Sequence, residues 1–183
     1  MTRTAEVVEE SILCLMATVI LSVALPLTGE AAGFDFKGIV IGSRSTPTEV
    51  KEKLGVGCDG GAGEMMICNG HVTVAEVGAQ MNLVIGGDGV VQRILLEFDS
   101  NSFPEVEAAV LHKFGTPSST VRGDIQNRLG ATFHDVLHTW SAKDGAAVGL
   151  HRYAGSVSSS TLYFSIERDR RMLDRSSRPS TDL

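Results

Sequence analysis

Apolar residues recur along this chain with two periods, and the switches between them mark out the elements. Residues 11–27 are almost wholly apolar and follow neither period. Phe34 to Ile41 carries the Ile, Val and Phe of a strand. Thr46-Pro47-Thr48-Glu49 then predicts a helix start. Thr46 can cap it, Pro47 suits the first helical position and Glu49 completes a capping box. Val50 and Leu54 share one face of that helix, and Gly55 ends it. A glycine-rich loop follows. Two hairpin signals come next: Asn69-Gly70 joins residues 64–68 to 71–76, and Asp88-Gly89 joins 81–87 to 90–98.

The order then recurs. Ser102-Phe103-Pro104-Glu105 reads as a second capping box, Val106, Val110 and Phe114 fall at helical spacing, and Gly115 stops the helix. Residues 132–141 and 146–154 form a hairpin across Asp144-Gly145, and 161–166 supply a last strand. The expected fold is α+β: two tandem helix-plus-antiparallel-strand units, 34–99 and 100–167, sharing one sheet with one face covered by helices. Residues 168–183 are polar and predict a disordered tail.

Two stretches carry a family resemblance. Gly42 to Gly55 and Ser102 to Pro117 share the pattern of a Thr or Ser, then Glu-Val, a helix, and a Leu or Phe before Gly. The pattern resembles the β-lactamase inhibitor proteins and the small outer-membrane lipoproteins that assist barrel assembly. The resemblance implies an exported protein-binding fold. In the inhibitor family it also implies binding through the uncovered sheet face and a disulfide just after the helix.

Charge and cysteine usage bear on compartment. The 183-residue chain has a formal charge of −6 and a pI near 5.3, which argues against a nucleic-acid binder with a basic surface. The apolar run at 11–27 ends at Pro26-Leu27, and Gly29 and Ala31 suit a signal-peptidase cut after Ala31. Arg3 is the only cation in that leader, so residues 1–31 read as a signal peptide or as an N-terminal anchor, the only expected membrane contact. Cys14 belongs to the leader. Cys58 and Cys68 remain, and in an exported domain they read as one disulfide. The expected location is periplasmic or secreted. Gly55-Val56-Gly57-Cys58-Asp59-Gly60 matches a dinucleotide string, but it follows a helix and precedes a strand, the reverse of a phosphate loop.

The candidate site comes from the second half. With Asp144-Gly145 as a two-residue turn, His138 faces His151, and alternation places Trp140, Tyr153 and Tyr163 on the same face. Leu137, Val148 and Leu150 then point to the helices. A Trp, Tyr and His cluster on an open sheet face has the composition of a partner-binding surface. The expected function is a non-enzymatic protein-binding module of the envelope or extracellular space, with no cofactor. The alternative is a metal-binding or hydrolytic protein using His138, His151 and His134, although no G-x-S-x-G or H-E-x-x-H string is present.

Overall fold

A computed structural model describes residues 33–61, 63–126 and 129–167. The expected leader and tail lie outside the described residues. The first element is a two-stranded ribbon, β1 (Asp35–Phe36) and β2 (Ile39–Val40), turned at Lys37-Gly38. Helix α1 (Pro47–Leu54) starts as its sequence predicts: the Glu49 N–H donates to Thr46 Oγ1 at 3.2 Å, and Gly55 closes the helix at φ 73°. Three strands and a fourth follow: β3 (Gly57–Asp59), β4 (Met66–Val74), β5 (Val77–Ile85) and β6 (Val91–Asp99). Helix α2 (Phe103–Phe114) leads to β7 (Ser119–Gln126), β8 (Thr132–Ser141), β9 (Ala147–His151) and β10 (Ser159–Ser165). The capping box expected at Ser102 does not form, because a 3₁₀ turn at Ser100–Ser102 precedes the helix and Asp99 caps that turn.

The expectation of an α+β fold in two tandem helix-plus-strand units is overturned. Strands β3 to β10 make one antiparallel sheet in the order β3-β4-β5-β6-β10-β9-β8-β7, beside the small β1–β2 ribbon. The described residues hold only two α-helices, of 8 and 12 residues. The physical reason lies in β10. It pairs with β6 over seven residues, from Ser159↔Asp99 to Ser165↔Arg93, so strand pairing runs unbroken from one edge to the other. Ile94 and Leu96 then pack with Leu162 and Phe164 in one continuous core, and no boundary between units remains. The sheet is the organising element, and the helices cover part of it.

Turn chemistry decided the pairing in two places. Asn69-Gly70 makes no turn; β4 runs straight through it, and the chain reverses at Ala75-Glu76 instead. Gly70 serves close approach, since a Cβ there would lie 2.6 Å from Val56 Cγ1. In the later hairpin, Ala142 pairs with Ala146, so the loop is Lys143-Asp144-Gly145, three residues long. Only Gly145 takes positive φ, at 86°, while Asp144 Oδ1 accepts the Ala146 N–H at 2.9 Å. A two-residue turn of the mirror-image kind would need Asp144 at positive φ too. The extra loop residue shifts β8 against β9 by one position, and a one-residue shift turns every side chain to the other face.

The observed pairs are Trp140↔Val148, His138↔Leu150 and Leu137↔His151. Even-numbered side chains of β6, β8, β9 and β10 point to the core face, where Phe103, Val106 and Val110 of α2 pack on them. Odd-numbered ones point to the outer face. Over the middle of the sheet the core-face residues are buried, exposure returning at Thr132 and His134 at the start of β8, and those of the outer face are mostly half-buried or exposed. No helix among the described residues is long and apolar enough to cross a membrane.

Candidate functional site

The five residues expected on one open face separate. Trp140 and His138 lie on the core face, 3% and 4% exposed. Trp140 Nε1–H donates to the Gly115 carbonyl at 2.9 Å, and its ring packs 6.3 Å from Phe114 at the end of α2. It is a core residue that fastens the helix to the sheet. The expectation that Trp140 and His138 form an exposed binding surface is therefore corrected, and the cause is the register shift in the hairpin.

His151, Tyr153 and Tyr163 are reached from the outer side. Tyr163 lies across its neighbour Gly149, where an added Cβ would meet Cζ of the ring at 2.0 Å. The absence of a side chain at 149 is what lets the ring lie down on the backbone. His151 Nε2 lies 2.8 Å from Asp135 Oδ2, and the other oxygen of that carboxylate accepts the Val136 and Tyr153 N–H groups. Tyr153, just past β9, meets Phe133 edge to face at 5.8 Å. Leu95 pairs with Tyr163 on this face, and Leu137 pairs with both His151 and Val121. Val121 is 61% exposed. Leu95, Leu137 and Val121 were not among the sequence candidates. The signal for Leu137 was its alternation with Val136, read onto the wrong face.

A second arrangement sits on the core face where α2 crosses β8. His138 Nε2 lies 2.7 Å from Glu107 Oε1 of α2, and Nδ1 lies 2.9 Å from Thr120 Oγ1 of β7. Both ring nitrogens are hydrogen-bonded, Nε2 with the carboxylate and Nδ1 with the Thr120 hydroxyl. Thus a buried imidazole ties three elements together. Farther along the same strands, exposed His134 Nδ1 pairs with Asp124 Oδ1 at 2.7 Å.

These positions bear on metal binding. His138 and His151 project from opposite faces of the sheet, so they cannot share an ion. Among the described residues no three His, Cys, Asp or Glu side chains converge on one point. At the far end of the sheet a disulfide joins Cys58 of β3 to Cys68 of β4. Comparison with protein-family models, with curated proteins and with solved structures finds no match.

Proposed function

We propose that this chain is an exported, non-enzymatic protein-binding module of the cell envelope or extracellular space. It holds its protein partner on the outer face of the sheet. The observation that carries this reading is the half-exposed apolar band of Leu95, Tyr163, Leu137 and Val121, flanked by His151 and Tyr153, on the side away from both described helices. Such a band costs solubility unless something covers it. Tyr and His at its margin supply the polar tips that interfaces favour. The disulfide supports an oxidising compartment. The resemblance of Gly42–Gly55 and Ser102–Pro117 to the inhibitor proteins supports the same mode of binding.

The test is photo-crosslinking in the native envelope. A photoreactive residue at Leu137 should give a discrete protein adduct, and one at Lys51, exposed on α1, should not. The adduct should vanish when Tyr153→Ala and His151→Ala are combined. Adducts from Lys51 alone would refute the assignment of the face.

One observation favours a hydrolytic protein as the alternative reading. Thr120, His138 and Glu107 stand in the order nucleophile, base and orienting carboxylate. Mass spectrometry after treatment with a fluorophosphonate probe decides it: modification of Thr120 that is lost in His138→Ala supports hydrolysis, and an unmodified Thr120 rules it out.

A further inference from the structure

The sheet ends on two unequal edges. Strand β3 has three residues and is stapled by the disulfide, whereas β7 has eight, seven of them exposed. An edge of that length presents a row of backbone donors and acceptors ready for another strand. We propose that two copies of this chain join edge to edge through β7, antiparallel, about a two-fold axis at Gly123.

The sequence of β7, Ser119-Thr120-Val121-Arg122-Gly123-Asp124-Ile125-Gln126, is self-complementary in that register. Arg122 falls opposite Asp124 of the second copy, twice by symmetry. Val121 falls opposite Ile125, also twice, and Thr120 opposite Gln126. The charged pairs lie on the core face and the apolar pairs on the outer face, because odd and even positions keep their faces across an antiparallel ladder. Charges on an edge strand ordinarily block pairing. Here they select one register. Shifting the axis to residue 122 sets Arg122 against Arg122, and shifting it to residue 124 sets Asp124 against Asp124. A shift of the axis by half a residue would put core-face side chains on the outer face. Gly123 sits on the axis with no side chain to separate the strands, and open space surrounds the position its Cβ would take. Among the described residues the Arg122 side chain has no hydrogen-bond or ion-pair partner, and the residue is exposed, so its charge can meet a partner. The axis stands normal to the sheet. The outer faces of the two copies therefore become one continuous surface, and Val121 and Ile125 close the gap between the two apolar bands.

Light scattering on the full chain, purified after export, tests this. The wild-type mass should approach twice the chain mass read by denaturing mass spectrometry. Arg122→Asp and Asp124→Arg should each raise the dimer dissociation constant roughly 10- to 30-fold, since each converts two attractive cross-strand pairs to repulsive ones. Combining them reverses both charges at once and should restore the dimer. Both positions are exposed, and circular dichroism checks that the fold is kept. A monomeric wild type, a dimer indifferent to the single reversals, or a double variant that stays monomeric would each overturn the proposal.

Discussion

Replacing Trp140 by alanine separates the observed register from the one the turn sequence suggested. Trp140 is the only tryptophan of the chain and is 3% exposed. Its ring packs against Phe114 at 6.3 Å and His138 at 5.9 Å, and its Nε1–H holds the Gly115 carbonyl. Truncating a buried tryptophan costs about 3–5 kcal/mol from lost transfer energy and the cavity left behind. Gly115 is an exposed residue at the end of α2, so loss of this hydrogen bond adds at most about 1 kcal/mol. Against a domain stability of about 5–15 kcal/mol, the loss lowers the melting temperature by roughly 6–20 °C. Trp140→Phe keeps most of the apolar area and loses the hydrogen bond, so it should cost about 1–2 kcal/mol. Urea unfolding followed by far-UV circular dichroism reads both, with an unchanged slope showing that the denatured state is unaltered. In the wild type, fluorescence of the single tryptophan should be blue-shifted and should move to the red on unfolding. A Trp140→Ala loss below about 0.5 kcal/mol is the value of a surface substitution, and it would refute the core placement and with it the three-residue loop.

Two further outcomes follow from local geometry. Ala75 and Glu76 take φ of 48° and 66° in the two-residue turn that closes Val74 on Val77, a conformation that suits Asn-Gly. The double change Ala75→Asn with Glu76→Gly should therefore stabilise the protein by about 1 kcal/mol, read as a rise of about 2–4 °C in melting temperature. Burial pushes the Asp35 carboxyl up, but the Gly38 N–H and the Lys113 ammonium outweigh it and hold its pKa below the ordinary 3.8. A lowered pKa in the folded state means stability is fully present above 3.8 and is lost as pH falls through the folded value. Asp35→Asn should reduce stability at neutral pH and flatten the acid limb below that value, as urea midpoints measured across the acid range would reveal.

Local signals were legible where a few neighbouring residues settle the energy. Thr46, Pro47 and Glu49 start α1 because a cap, a fixed φ and a first-turn acid all act within one turn. The stripe of Val106 and Val110 forms the buried side of α2 as its spacing predicts. The glycine signals failed where tertiary neighbours decide. Gly70 reads as a turn residue, yet its role is to make room for Val56. Strand β7 was not anticipated at all. Its apolar content is Val121 and Ile125 alone, and an edge strand with a polar, exposed surface lacks the hydrophobic alternation by which buried strands are recognised. The site suffered most, because its membership depends on which way each strand faces.

From the sequence alone, the chain determined its helix starts, the reversals around Asp88-Gly89 and Asp144-Gly145 and the cysteine pair, since each depends on residues close along the backbone. The tertiary structure decided that the strands merge through β6 and β10 into one sheet. It also decided that Trp140 and His138 face the core while His151 and Tyr163 face outward. The reason is the two-residue period of a strand. Asp144-Gly145 is compatible with a loop of two or of three residues, and the choice rests on which alternative buries Trp140 beneath Phe114, a contact between elements that no local pattern encodes.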